Sequence, residues 1–321
     1  MNEKYIFLKP TFSTAIWGGN GKLVYQYHVE KYVPKGMPIN EITGLGAMSG
    51  LPEDANEILT GQYQGRKLNE LYDEHPELFG TPSTLKWEHL PVSMGIAHAC
   101  ADLSVQVHPT EEFAMKNLGR HGKSESWYIV DCDSHGDIVM GHNAKTLKEL
   151  ENYIDRKNWQ GLLKRYPIMP GSFYNIQAGT LHAIQKGTTF MEVCNPCPIT
   201  YRFYDYDRLD RQGKPRDTHI QLAKENILIP FVCQDTHYQY RQNGGVTEIK
   251  LTDNENFSVF KYVIAGVGEL SMPKSYLGAF VIEGHGEIDG VSLKAGDSFL
   301  ITANTKKLLW KGEMTLLAYS G

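Results

Sequence analysis

A chain of 321 residues with 41% hydrophobic residues and a formal charge of −5 can bury a large core, and its size allows more than one compact unit. The small net charge argues against nucleic-acid binding as the main task, and no apolar run approaches the roughly 18 residues of a membrane helix. The run Met1-Asn2-Glu3-Lys4-Tyr5-Ile6 lacks the charged-then-apolar order of a signal peptide, and five cysteines are too sparse for a secreted scaffold, so a cytoplasmic protein is expected.

The first forty residues hold short apolar pieces and the turn Ile16-Trp17-Gly18-Gly19-Asn20-Gly21, then a Gly-rich, loop-like section from Pro38 to Gly65. Over Lys67 to Phe79, Leu68, Leu71, Tyr72 and Leu78 recur at helical spacing, with Pro76 placed to break the helix near its end. From Pro91 to Val139 the pattern reads mostly as strands. Thr146 to Arg156 predicts a short helix opened by its Thr, and Asn158 to Arg165 a second one that Pro167 stops. Ser172–Ile176, Leu181–Ile184, Phe190–Val193 and Ile199–Tyr206 read as strands, and Asp217 to Ile227 as a helix. From about Tyr238 onward, short β segments split by Gly and Asn run to Tyr319. Many short strands with regular turns favour an antiparallel sandwich or barrel. The expected organisation is a mainly β barrel with helical insertions over residues 1–236 and a smaller all-β domain over 237–321.

Within the barrel, Ser104-Val105-Gln106-Val107-His108 alternates strictly, so Ser104, Gln106 and His108 share one face of a strand. A His and an amide oxygen two residues apart can grip one metal ion. Glu125 and His182 add a carboxylate and a second imidazole. Taken singly, each has a commoner explanation as a packed His or a surface or paired carboxylate. His182 is the best placed: Gly171, the turn Gln177-Ala178-Gly179 and the following His look like the second motif of a cupin barrel, with Gln177 at the usual Pro. Gln106, His108, Glu125 and His182 together would give zinc one negative charge and leave a position open for water or substrate. The same ligands do not exclude manganese, iron or cobalt. Lys123, two residues before Glu125, faces the same way on a strand.

At these residues the chain resembles the type I mannose-6-phosphate isomerases (phosphomannose isomerases) of the cupin superfamily, over nearly its whole length. The likeness is carried by Ile16-Trp17-Gly18-Gly19, Gly61 to Gly65, Leu103 to Pro109, Gly122 to Ile129, Ala178 to Ala183, and Thr200-Tyr201-Arg202-Phe203-Tyr204-Asp205-Tyr206-Asp207-Arg208. It implies a jelly-roll cupin barrel followed by a second, degenerate cupin-like domain. It also implies one zinc ion per chain on Gln106, His108, Glu125 and His182, a catalytic Arg202, and further active-site residues Lys123 and Glu192. Ser104 falls at a substrate-phosphate contact, and Trp17 is assigned to substrate binding. The implied substrate is a small sugar phosphate, and the implied reaction interconverts mannose 6-phosphate and fructose 6-phosphate through an enediol. The base is open between Lys123, Glu192 and a metal-bound hydroxide. Arg202 could instead serve an ion pair with Asp205 or Asp207, but alternation puts Thr200, Arg202 and Tyr204 on one face and favours the functional reading. A monomer and a homodimer are equally compatible with the sequence.

Three stretches depart from the family pattern. Its Gly-Glu-x-Trp-like segment reads Gly44-Leu45-Gly46-Ala47-Met48-Ser49 here, with Glu41 just upstream. Its phosphate-binding Lys is replaced by Gly95, which removes a charge-assisted contact of roughly 1.5–3 kcal/mol, with His98 close by in sequence. Cys194-Asn195-Pro196-Cys197-Pro198 replaces a Gln-, Ser- and Asp-rich segment; one CxxC pair is half a zinc site and is expected to be structural or incidental. These changes admit an isomerase of a different or unphosphorylated sugar, or a catalytically silent sugar-binding cupin protein. In the C-terminal part, Gly284 to Gly290 and Ala295 to Ile301 look like cupin turns, but Thr302 to Thr305 stand where a ligand His would follow. No metal is expected there.

Overall fold

The computed structural model describes residues 3–80, 89–209, 213–234, 236–273 and 275–321. The chain opens with β1 (Tyr5–Leu8), β2 (Thr11–Thr14), α1 (Lys22–Gln26), β3 (Ile42–Met48), α2 (Leu68–Glu74) and β4 (Ser93–His98). Next come β5 (Val105–Val107), α3 (Glu111–Leu118), β6 (Glu125–Asp131), β7 (Asp137–His142), α4 (Leu147–Asp155), α5 (Trp159–Leu162) and β8 (Leu163–Pro167). They are followed by β9 (Phe173–Ile176), β10 (His182–Ile184), β11 (Thr189–Cys194), β12 (Tyr201–Tyr204) and α6 (Ile220–Asn226). The last strands are β13 (Gln239–Asn243), β14 (Val246–Asp253), β15 (Ser258–Ser271), β16 (Leu277–Ile288), β17 (Val291–Lys294), β18 (Ser298–Ile301) and β19 (Lys307–Ser320). No helix among the described residues is long and apolar enough to cross a membrane.

Two compact units emerge from Cα proximity: Met1–Thr14, Asn20–Ile96 and Thr236–Gly321 form one, Ala15–Gly19 and Ala97–Asp235 the other. Residues 1–14 and 20–96 thus group with the C-terminal strands. In that unit the sheet runs β1-β18-β16-β19-β15-β14-β13, with β17 on β16. The N-terminal strand thus closes against the C-terminal part, Tyr5 opposite Ile301. Alternating residues of these strands, among them Val246, Tyr262, Val281, Phe299 and Trp310, form its core. Asp289 and Gly290 between β16 and β17 have φ of 46° and 83°, the left-handed pair that a two-residue hairpin turn requires. In the same unit β3 and β4 approach closely at Gly95, where a Cβ would lie 3.1 Å from the Leu45 carbonyl oxygen.

The second unit contains the sheet β12-β5-β10-β7-β8 and, separately, β6 flanked by β11 and β9. Strand alternation divides its side chains between two cores. Val105, Val107, Val139, Ala183, Tyr201 and Phe203 meet Leu150, Leu162 and Ala223 of the helices α4, α5 and α6. The opposite parity, Ile138, Met140 and Ile184, meets Trp127, Ile129, Ile176 and Phe190 from β6, β9 and β11. The five-stranded sheet is therefore covered on both faces, by helices outside and strands inside. The protein is mainly β with a cupin-type fold and helical insertions, as the resemblance implies.

The section from Pro38 to Gly65, read as loop-like, holds the strand β3, which pairs with β2, and local structure departs from expectation in four further places. Glu111–Leu118, read as part of a strand region, is helical: the Thr110 hydroxyl accepts from the Phe113 amide, two acidic residues occupy the first turn, and Gly119 ends it at φ 64°. The helix expected over Asn158 to Arg165 is one turn; Asn158 caps it through the Gly161 amide, and Leu163 onward joins β7 as β8. The helix expected from Asp217 begins at Ile220, because residues 217–219 bond to β12 instead. The short α1 follows the expected turn at Gly21, in a stretch read only as short apolar pieces.

Candidate metal centre and active site

The inner parity of the five-stranded sheet carries more than apolar residues. Gln106 on β5 lies opposite His182 on β10 and opposite Arg202 on β12, and His182 lies opposite Met140 on β7. Directly opposed residues share a face, so Arg202, Gln106 and His182 form one inward row. Glu125 opens β6 on the face that also holds Trp127, with Cys194 and Ile176 opposite it on the flanking strands. His108 follows β5 by one residue, on the Gln106 side.

His108, Glu125 and His182 are 2%, 2% and 1% exposed, and one ligand atom from each lies within 4.8 Å of the others. Each imidazole is oriented by a backbone carbonyl: His108 Nδ1–H donates to Ile199 at 2.8 Å, and His182 Nδ1–H donates to Thr180 at 2.8 Å. A carbonyl can only accept, so in the neutral ring each Nε2 holds a lone pair. Those lone pairs face carboxylate oxygens: His108 Nε2 is 3.3 Å from Glu125 Oε2, and His182 Nε2 is 3.4 Å from Glu125 Oε1. His108 Nε2 and both Glu125 oxygens are buried without a well-aligned hydrogen bond. Such atoms are expensive to bury. A cation among them removes the conflict. Ligand bonds of about 2.0–2.1 Å at tetrahedral angles put neighbouring ligand atoms about 3.3–3.4 Å apart, which matches the observed separations.

Gln106 fits the same set. Its Nε2 lies 3.4 Å from His182 Nε2, and a half-turn of the amide puts Oε1 there with no other change. Trp127 stands edge-on to His182, ring centres 5.4 Å apart, and helps to keep water from the rings. Gly179, at φ 86°, donates its amide to the His108 carbonyl at 3.1 Å, so the turn before β10 is tied to one ligand while it delivers the other.

Lys123 Nζ sits 2.8 Å from Glu125 Oε2 and 3.0 Å from Glu192 Oε1. Burial alone would lower its pKa, but the two carboxylates more than offset that and hold it well above its ordinary value. Burial likewise would raise Glu125, yet Lys123 and the two histidines hold it well below the usual carboxylate range. Burial pushes His182 down to about 4 despite Glu125, and pushes the Cys194 thiol well above its ordinary value. Cys194 and Cys197 are both free.

The structure thus brings Gln106, His108, Glu125, His182, Lys123 and Glu192 together. Arg202 shares their sheet row, but its Nη1 donates to the Asp217 carbonyl at 2.7 Å. The alternative partner Asp205 pairs instead with Arg208 and Arg216. Ser104 is buried at the head of β5, and Trp17 packs partly buried against the inner core around Trp127. Sequence reasoning missed two features, the carbonyls of Thr180 and Ile199 that orient the imidazoles and the thiol of Cys194 facing Glu125. The second was readable from parity, since Glu192 and Cys194 are two residues apart on one strand.

Residues 6–140 match the family described as "Phosphomannose isomerase type I, catalytic domain", and residues 247–320 match "Mannose-6-phosphate isomerase, cupin domain". The chain is 35% identical over 306 residues to mannose-6-phosphate isomerase ManA of Bacillus subtilis, with 94% of each chain covered. It is 33% identical over 318 residues to mannose-6-phosphate isomerase of Streptococcus mutans, covering 98% of this chain and 97% of that one. The crystal structure of the mannose 6-phosphate isomerase from Bacillus subtilis superposes with a TM-score of 0.91 at 34% identity, covering 99% of this chain and 100% of the other.

Proposed function

Since the chain belongs to the type I phosphomannose isomerase family, we propose that it is a zinc-dependent isomerase interconverting mannose 6-phosphate and fructose 6-phosphate. The observation that carries this reading is the set of buried, mutually facing acceptors on His108, Glu125 and His182 beside the Lys123 ammonium. Gln106, His108, Glu125 and His182 would hold the metal. When bound, it supplies Lewis acidity that polarises the sugar carbonyl and orders the neighbouring oxygens.

The chain's own groups divide the rest of the work. Isomerisation removes the proton from C2 of the aldose and returns one to C1, with an enediolate between. Lys123, held as an ammonium between two carboxylates, is the wrong form for a base and the right one for donating to a sugar oxygen. Glu192 pairs with that ammonium and has a side chain 32% exposed, so it is the carboxylate able to reach a bound sugar and carry the proton. Arg202, positively charged and held by a neutral carbonyl, offsets the developing enediolate charge. Ser104 and Trp17 fit roles in holding the substrate.

Gly95 supplies no cation where the resemblance places a phosphate-binding Lys, which favours a second reading with an unphosphorylated or different sugar. Turnover of mannose 6-phosphate and mannose by the zinc-loaded protein, measured side by side, separates the two. Turnover of the phosphate ester alone is expected. Turnover of mannose alone moves the assignment to the second reading, and turnover of neither leaves a sugar-binding protein.

A further inference from the structure

Arg202 is held by a segment that has no regular structure of its own. The Arg202 amide donates to His219 Nδ1 at 3.1 Å, the His219 amide donates to the Arg202 carbonyl at 2.7 Å, and Arg202 Nη1 donates to the Asp217 carbonyl at 2.7 Å. Residues 217–219 therefore determine where the guanidinium lies. Next to them in the chain is Arg216, whose fork grips Asp205: Nε donates to Oδ2 at 2.7 Å and Nη2 to Oδ1 at 2.6 Å. Asp205 is 4% exposed and follows β12 directly, three residues after Arg202. Tyr206 and Asp207, both left-handed at φ 58° and 53°, then turn the chain so that Arg208 also reaches Asp205 and donates to the Asp102 carbonyl.

We propose that the Asp205–Arg216 pair is a positioning device for Arg202, clamping the 217–219 segment to the end of β12 and holding the buried Asp205 carboxylate in its own ion pairs. Two features favour this over a purely structural pair. A bidentate fork fixes angle as well as distance, so it sets the position of the segment one residue further on. The hydrogen bonds of Asp205 go to Arg208 and Arg216, while Arg202 rests on a carbonyl and keeps its donors for an anionic oxygen of the substrate. The inference rests on the catalytic assignment of Arg202.

A double-mutant cycle in the zinc-loaded full chain tests it. Arg216→Ala is expected to lower kcat about 30- to 100-fold, with KM within about threefold of the parent and metal content retained. Arg216→Lys, which keeps the charge and loses the fork, falls between. In an Arg202→Ala background, replacing Arg216 should change kcat by less than about twofold. Equal losses in both backgrounds, or a parental kcat in Arg216→Ala, overturn the inference and leave the catalytic role of Arg202 standing. A parental kcat in Arg202→Ala alone overturns both. Where Arg216→Ala does not fold, the same cycle is read with Arg216→Lys.

Discussion

His108 Nε2 faces Glu125 Oε2 across 3.3 Å, two buried acceptors with no proton between them. The Nδ1 proton of His108 is committed to Ile199, and Lys123 keeps Glu125 ionised. Protein interiors seldom tolerate such a contact. The elements that create it, two strands of different sheets and a loop tied to Gly179, are arranged to hold these atoms in place. The contact makes chemical sense as the edge of a coordination polyhedron.

Removing the metal should therefore expose a pH-dependent weakness. In the metal-free chain, burial depresses His182 from 6.5 to about 4, so the unfolded chain binds more protons between those values. The stability this site contributes is present above about pH 6.5 and is lost as pH falls through 4, a change of about 3 kcal/mol. Calorimetry of chelator-treated protein should show its melting temperature dropping across that window, with a shallower drop in His182→Phe. Identical acid limbs in the two proteins would contradict the burial of a neutral imidazole.

Glu125→Gln keeps the shape of the site and removes its charge. Lys123 is then left with Glu192, and the two imidazoles lose their anionic partner. Breaking one member of a buried charge pair costs about 3–5 kcal/mol, and metal content should fall with it. Elemental analysis after dialysis and a urea melt check both effects; a variant that binds the ion stoichiometrically would remove Glu125 from the ligand set.

Lys123→Met retains the stem and deletes the ammonium. The ligands are untouched, so the ion should stay while kcat drops about 10²–10³-fold, the loss typical of one electrostatic contact to a developing charge. Steady-state turnover paired with metal content reads this directly. A raised KM at unchanged kcat would place Lys123 in substrate binding alone.

Gly179→Ala tests the turn that joins the two histidines. Its φ of 86° disfavours any side chain, and a Cβ would lie 2.5 Å from the Asn226 carbonyl oxygen. Left-handed strain and overpacking together predict a loss of about 2–4 kcal/mol, with weaker metal retention because His108 and His182 shift relative to each other. A melt within one degree or so of the parent, on the scale of a few degrees per kcal/mol, would show that the turn relaxes without cost.

Much of this site was legible before any coordinates. Period-2 alternation placed Gln106 and His108 on one face and put Arg202 on the face of its own strand that the structure turns inward, because successive side chains of a strand point to opposite faces. The helix over Glu111–Leu118 was missed although Thr110, two glutamates and Gly119 mark both of its ends; its weak apolar pattern hid it among strands. The pairing of β1 with β18, Tyr5 opposite Ile301, was not legible either, since it joins segments that share no local signal. The contacts of residues 217–219 with Arg202 belong to the same class: a helix period continued through them, and hydrogen bonds to β12 overrode it.

Anomalous diffraction from crystals of the protein at the zinc edge addresses the metal directly. One peak per chain is predicted, about 2.0–2.1 Å from His108 Nε2, His182 Nε2 and a Glu125 oxygen, and absent from crystals of His182→Ala. A peak elsewhere, or one that survives the loss of His182, would contradict the assignment of these residues as a single metal-binding set.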